Sequence, residues 1–135
     1  SYLLSHLKGK YDMVIGARVK RLGTNIHRNL SRHYLGRIFA TFSSFILKIK
    51  VYDSQCGAKF FKTGIAEKLF AEKFNSVWLF DLELIYRLKE IEKENFNDHI
   101  LEIPLRKWEE KHNSKMNFMD FLLAPIDVLK IKYRN

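Results

Sequence analysis

Val51-Tyr52-Asp53-Ser54-Gln55-Cys56-Gly57-Ala58-Lys59-Phe60-Phe61 sets a carboxylate, an amide, a thiol, a glycine and an ammonium side by side between two strongly apolar segments. Folding alone rarely asks for that density of mixed polar chemistry. A connection that needs close backbone approach and convergent polar side chains reads as part of a ligand site. Further on, Trp78-Leu79-Phe80-Asp81-Leu82-Glu83-Leu84 places a second acidic pair in an apolar frame. The two segments together direct the functional reading.

Upstream, Tyr11-Asp12-Met13-Val14-Ile15-Gly16-Ala17-Arg18 reads as a short buried strand that follows a helix end and closes in a glycine turn. In an open α/β sheet, ligands bind in the loop just past the carboxyl end of such a strand. Arg18, Lys20, Arg21 and Gly23 occupy that loop, either as ligand contacts or as a merely solvated basic turn. From about Ile26 to Ile49 the spacing of Leu35, Ile38, Phe39, Phe42, Phe45, Ile46 and Ile49 predicts one long helix with a single apolar face. Arg28 and Arg32 share another face, with Arg37 farther along. Such a helix suits either the domain core or a membrane surface.

Downstream, a short helix is predicted from Thr63, its N-cap, to about Lys73, with Ile65, Leu69 and Phe70 inward. A second runs from Phe80 to about Glu92 and buries Phe80, Leu84, Ile85 and Leu88. A turn over 95–98 leads to a strand over His99–Leu105, where Pro104 marks a sheet edge or bulge. Residues 107–115 read as polar loop, and Met116 to about Lys132 as a final helix bent or interrupted near Pro125.

The chain has 135 residues, enough for one domain with a real core. A hydrophobic content of 47% with eleven Phe excludes disorder. No run of eighteen apolar residues is present, so no segment reads as a membrane-spanning helix. One cysteine cannot form an internal disulfide, which points to a reducing, cytoplasmic setting. The five histidines show no metal-ligand spacing. Charge is concentrated: residues 1–50 hold ten Lys and Arg against the single acid Asp12, while the charges of 51–135 cancel. The basic excess calls for an anionic partner such as phosphate groups or an anionic membrane surface. A nucleic-acid module is disfavoured, because no motif of that kind is present and it leaves residues 53–59 unexplained.

Four blocks in order carry a resemblance: Tyr11 to Arg18, Arg32-His33-Tyr34-Leu35-Gly36-Arg37-Ile38-Phe39-Ala40, Tyr52 to Lys59, and Trp78-Leu79-Phe80-Asp81-Leu82-Glu83. They resemble family 2 glycosyltransferases, nearest the dolichyl-phosphate glucosyltransferase and polyprenyl-phosphate mannosyltransferase-like subgroup. Glu102-Ile103-Pro104-Leu105-Arg106-Lys107-Trp108, followed by Ser114-Lys115, resembles that subgroup's closing segment. The resemblance implies an α/β fold, the C-terminal part of a GT-A glycosyltransferase, with a mixed sheet flanked by helices. Residues 1–135 then form one partial domain, the acceptor-side half. The nucleotide-binding half would lie outside it, with an Asp-x-Asp motif that this chain lacks. Ser1-Tyr2-Leu3-Leu4, which reads as a helix already under way, fits that expectation. A partial domain of this kind is expected to be inactive alone and, exposing apolar surface, to self-associate.

The implied activity is inverting hexosyl transfer from a nucleotide-sugar donor to a polyprenyl phosphate, peripheral at the inner, cytoplasmic face of a membrane. The alternatives are a soluble or glycan acceptor for the same fold, or a non-enzymatic basic module that binds a membrane or nucleic acid. A divalent metal, Mg or Mn, is expected for the whole enzyme, with its ligands outside this chain. Arg18 and Lys59 are candidates for phosphate contacts, and Arg28, Arg32 and Arg37 for the lipid-phosphate side. If Asp81 and Glu83 share a helix they stand about 200° apart and cannot enter one pocket. Asp81, at the helix start, is either a charge that complements the helix dipole or the site carboxylate, and the resemblance implies the latter; Glu83 then faces elsewhere, toward Arg87. Asp81 and Asp53 are the candidate catalytic carboxylates, with an Asx turn that holds the loop to Gly57 as the alternative role of Asp53. A sugar hydroxyl would need a general base, whereas a phosphate acceptor would need only electrostatic help. Gln55 and Gly57 line the same pocket, Cys56 is a buried filler, and Trp78 either stacks on a sugar or joins the core.

Overall fold

The computed structural model describes residues 2–27, 30–109 and 118–134, with the side chains at 30, 32, 118 and 120 excepted. Its centre is β1 (Met13–Ala17), whose five residues are all buried. Successive side chains of a strand point to opposite faces. Met13 and Ile15 accordingly join the main core, while Val14 packs on the other side with Leu3 and Ile103. Both faces being covered, the strand reads as a continuous apolar run instead of an alternation. α1 (Tyr2–Leu7) supplies Leu3 to the smaller face.

β3 (Lys59–Phe61) pairs antiparallel with β1, and β4 (Ile100–Pro104) pairs parallel with its other edge, giving the order β3-β1-β4. The expected mixed sheet flanked by helices is thus present. Gly16 lies inside β1 and does not make the predicted glycine turn. A Cβ there would come within 2.8 Å of Leu105 and 3.2 Å of Ala58, so glycine permits the close approach of both neighbours. The Gly16 N–H donates to the Ala58 carbonyl at 2.8 Å, which fixes the loop before β3 at the carboxyl end of β1.

The predicted helix from Ile26 divides into two elements. Asn25–His27 is β2, and α2 spans Leu30–Leu47. β2 pairs parallel with β5 (Lys107–Glu109), within the predicted polar loop, of which the remainder lies outside the described residues. Neither three-residue strand has a local signal; each forms because the other is there. α2 stops where Lys48 takes φ +52° and the Ile49 N–H returns to the Ser44 carbonyl. Lys89 Nζ caps the Leu47 carbonyl at 2.6 Å, placing a cation at the helix's negative end. The apolar face of α2 also divides, since Phe39 and Leu47 are buried while Ile38 and Phe45 are 63% and 81% exposed.

α3 (Thr63–Leu69) is shorter than predicted, with Lys62 and not Thr63 at its N-cap and Phe70 half exposed. α4 (Phe80–Glu92) has its predicted bounds, and Leu84, Ile85 and Leu88 are buried. Phe80 is 40% exposed and meets Phe74 edge-on. The expected turn near residue 95 is helical: a 3-10 turn (Lys93–Asn95) followed by α5 (Phe96–His99). α6 (Phe118–Lys132) runs on through Pro125 and buries Ala124, Val128 and Ile131.

Glu83 is fully buried and, as expected from its spacing, pairs with Arg87 four residues on, at 2.8 Å. Arg87 also donates to the carbonyls of Leu69, Glu72 and Lys73, at 2.6, 2.9 and 2.7 Å, and lies over the Phe74 ring. Glu83 accepts from the backbone and side chain of Asn75. Every partner is satisfied, so removing one strands a charge in the core. Glu83→Ala is expected to lower stability in urea unfolding by about 3–5 kcal/mol. Phe45→Ala, on the exposed side of α2, should stay within about 0.5 kcal/mol. A Glu83→Ala loss no larger than that of Phe45→Ala would refute the structural role of the pair.

Candidate functional site

The chain leaves β1 at Arg18 and turns away, and β4 ends beside it, where the Leu105 N–H donates to the Ala17 carbonyl at 2.9 Å. The irregular stretch before β3 crosses the same end. These three segments build the site. Arg18 meets Asp53 as a fork: Nε donates to Oδ2 and Nη2 to Oδ1, each at 2.7 Å, and the Arg18 backbone N–H adds a third bond at 2.9 Å. Side chains of both residues are largely buried. Such bidentate geometry is the strong form of a carboxylate–guanidinium pair. The Arg18 guanidinium also lies 5.5 Å from the Trp108 ring centre on β5, so the two-stranded β2–β5 ribbon covers this pair.

Lys59 and Asp81 form the second pair, at 2.8 Å, with Lys59 nearly buried. An ammonium has three N–H donors. Here they go to Asp81 Oδ1, the Ser54 carbonyl at 2.9 Å and the Cys56 carbonyl at 2.6 Å. Lys59 thereby fastens the 54–56 backbone to the first turn of α4. Between the two pairs, Ser54 Oγ and Gln55 Nε2 are buried with no hydrogen-bond partner among the described residues. Each such group costs about 1–3 kcal/mol, and a bound polar ligand or water would satisfy it.

The structure thus joins Arg18 to Asp53 and Lys59 to Asp81, with Gln55 and Gly57 on the segment between Asp53 and Lys59. Gly57 has open space around it and no unusual φ, so no close approach explains it. Arg37 reaches the adjoining residue, donating to the Tyr52 carbonyl at 2.8 Å with its guanidinium 3.8 Å from the Tyr52 ring centre. Trp78 packs against the main core beside Phe39. Arg28 and the side chain of Arg32 lie outside the described residues. Cys56 is fully buried, and burial pushes its thiol above the usual range, consistent with a filler. Sequence reasoning missed Glu102, which accepts the Tyr52 and Asp53 backbone N–H groups at 2.8 and 2.7 Å. The available signal was a lone acid in an otherwise apolar strand. Burial raises the Glu102 carboxyl pKa; the two N–H groups oppose this, the Asp53 charge adds to it and Arg37 opposes it.

Asp53 and Asp81 each hold a cation already, an arrangement that does not offer a divalent metal a donor set. Among the described residues, Asp12, Glu92 and His99 are the one cluster of metal-ligating type. Asp12 precedes β1 and Arg18 follows it, so the cluster stands about 20 Å away at the opposite end of the strand. Its groups also serve one another: Asp12 Oδ2 meets His99 Nδ1 at 2.5 Å and Oδ1 meets Lys62 at 3.0 Å.

Beyond the site, the outer side of α2 bears two adjoining hollows that share Phe45. One, of about 790 Å³, has Ile46, Ile49 and Val51 in its walls with Lys48, Lys50 and Lys132 around them. The other is lined by Arg37, Ile38, Thr41, Phe42 and Phe45. No acid lines either one among the described residues. α6 is also apolar on its outer side, where Leu122, Leu123 and Ile126 are exposed. No helix of the described residues is long and apolar enough to cross a membrane.

The chain is 28% identical over 90% of its length to a dolichyl-phosphate beta-glucosyltransferase of Trichomonas vaginalis, covering 35% of that protein. It is 25% identical over 94% of its length to a dolichyl-phosphate beta-glucosyltransferase of Dictyostelium discoideum, covering 38% of it. The chain thus spans little more than a third of these curated relatives. No protein-family model and no solved structure matches it. The distant similarity supports a glycosyltransferase family.

The Asp12 cluster gives a pH prediction. Burial alone would raise the Asp12 carboxyl, but the hydrogen bonds and charges of His99 and Lys62 outweigh it and hold the group below its usual 3.8. A depressed carboxyl contributes stability that is present above the unfolded value and lost as pH falls through the lower folded one. Asp12→Asn should therefore flatten the acid limb of the melting-temperature profile below about pH 4. An unchanged limb in the variant would show that the cluster does not hold Asp12 ionised.

Proposed function

We propose that this chain is the acceptor-side part of a family 2 glycosyltransferase with a GT-A fold. The reaction moves a hexosyl group from a nucleotide-sugar to a polyprenyl phosphate of the dolichyl type. The carrying observation is the convergence of Arg18, Asp53, Lys59 and Asp81 at the carboxyl end of β1. The names of the two relatives supply the glucosyl group and the dolichyl-phosphate acceptor of the reading.

In the proposed reaction an acceptor phosphate oxygen attacks the anomeric carbon from the side opposite the leaving group. The new C–O bond forms as the bond to the nucleoside diphosphate breaks, which inverts the anomeric centre. A phosphate acceptor is already anionic and has no proton to lose, so no general base is required. Asp81 then acts through charge. Lys59 holds one of its oxygens, and the other has no partner among the described residues. A carboxylate fixed in this way stabilises positive charge growing at the sugar ring, without reorganising as the reaction proceeds. Arg18, oriented by its fork to Asp53, would contact phosphate oxygens at short range, and Ser54 and Gln55 supply polar contacts. A divalent cation belongs to the donor side of this reading and is held by residues other than those described above.

The outer side of α2 fits the place of such a reaction, at the cytoplasmic face of a membrane. Its exposed Ile38, Phe42 and Phe45 would enter the interface, while Arg37, Lys48, Lys50 and Lys132 meet anionic headgroups.

Two experiments test this reading. A longer protein containing this chain, supplied with a panel of nucleotide-hexoses, should glycosylate a polyprenyl phosphate in preference to a soluble glycoside. Asp81→Asn should lower kcat by about 100-fold. Equal transfer to the soluble acceptor would sink the lipid-phosphate reading, and no transfer from any donor would sink the enzyme reading. Separately, the chain should co-sediment with vesicles rich in anionic lipid, less so in high salt or as Phe45→Glu. Binding indifferent to all three would remove α2 as the membrane contact.

A further inference from the structure

The stretch from Ile49 to Ala58 contains no helix or strand, so its backbone N–H groups have no ladder to join. It nevertheless carries Asp53. At Tyr52 and Asp53, two residues in an irregular segment, every backbone polar group has a partner. The Glu102 oxygens take both N–H groups, Arg37 donates to the Tyr52 carbonyl, and the Asp53 carbonyl accepts the Cys56 N–H at 3.1 Å. Glu102 itself sits on β4, opposite Ile15 of β1, and is thus tied to the most buried part of the fold.

We propose that Glu102 is a positioning residue: by gripping two successive N–H groups from the sheet, it sets the Asp53 carboxylate in register with the Arg18 fork. This rests on the reading that the Arg18–Asp53 pair serves the transfer site. A carboxylate suits the task because it is acceptor-only and has two oxygens for two neighbouring donors. A glutamine offers one acceptor and turns an NH2 toward the second N–H. Two features argue against a purely stabilising role. The carboxylate is partly buried, and it lies close enough to Asp53 for their charges to repel. A neutral contact would hold a loop to a sheet without that repulsion. What the carboxylate adds is two charge-assisted bonds of fixed direction, one of them to the residue whose side chain meets Arg18.

The test uses Glu102→Gln, which preserves shape, with Glu102→Asp as a second variant that keeps the charge but shortens the reach. Amide hydrogen exchange is measured on the 135-residue chain, and transfer kinetics on a longer protein that contains it. In Glu102→Gln the Tyr52 and Asp53 amides should exchange at least about tenfold faster, the cost of one lost hydrogen bond, with Leu101 and Ile103 unchanged. The KM for the phosphate acceptor should rise about fivefold or more while kcat stays within about twofold, the pattern of lost binding without lost chemistry. Glu102→Asp should not restore either property. Unchanged exchange at residues 52 and 53 overturns the proposal. So does acceleration spread evenly over β1 and β4, which would mark a general stabilising role. Recovery in Glu102→Asp also overturns it, since charge alone would then suffice. If the unmodified protein transfers no sugar while the exchange response remains local, the functional reading falls and the grip on the loop stands.

Discussion

The buried Glu83–Arg87 pair is the contact on which the rest of the site depends. Arg87 gathers the carbonyl of Leu69, the last residue of α3, and those of Glu72 and Lys73 in the irregular stretch after it, and Glu83 holds Asn75 within that stretch. Together they fix the path of the chain into α4 and hence the position of its first turn. Asp81 stands on that turn, Lys59 bonds Asp81, and Lys59 in turn holds the carbonyls of Ser54 and Cys56. A charge pair in the core thus reaches the site through two further residues. Buried pairs are weak evidence for stability, since apolar replacements often serve as well. Here the guanidinium does something an apolar group cannot, by terminating three carbonyls that no helix or strand would satisfy.

The site is organised as two neutralised pairs, Arg18 with Asp53 and Lys59 with Asp81. Paired charges keep their geometry while cancelling most of their long-range field. Part of the basic excess of the first fifty residues lies along α2 and the segment after it. Lys48, Lys50 and Arg37 lie there beside exposed aromatic and aliphatic side chains. The paired charges at the end of β1 and the cationic, partly apolar side of the helix are thus separate features of the same chain.

What could be read from the sequence follows the range of the interactions. β1 was legible because five consecutive apolar residues admit few alternatives, and α4 because its periodicity and the Glu83–Arg87 spacing agree. Contacts spanning many residues were not legible. Nothing near Asn25–His27 or Lys107–Glu109 signals a strand, since the pair exists only once the sheet has brought the segments together. Gly16 resembled a turn residue, yet its role is set by Leu105 and Ala58. Phe80 fitted the apolar stripe of α4, but its ring stays 40% exposed, with Phe74 at its edge. At the site, the cluster of polar residues over 53–59 was visible as chemistry. That Lys59 would spend all three donors internally, or that Glu102 would take two N–H groups, depends on a fold no local pattern encodes.

The parallel pairing of β1 with β4 has a kinetic consequence. Val14 meets Leu101 and Gly16 meets Ile103, so the central ladder joins segments with most of the chain between them. Closing so large a loop carries an entropic cost before any ladder bond repays it, and topologies of this kind fold slowly. Until it closes, the β4 edge of β1 stays open, and α2 and α6 present apolar surface on more than one side. The slowest step of folding thus coincides with the greatest exposure of sticky surface. A nascent chain of this sequence would meet its main hazard, edge-to-edge association, before the end of β1 becomes a site at all.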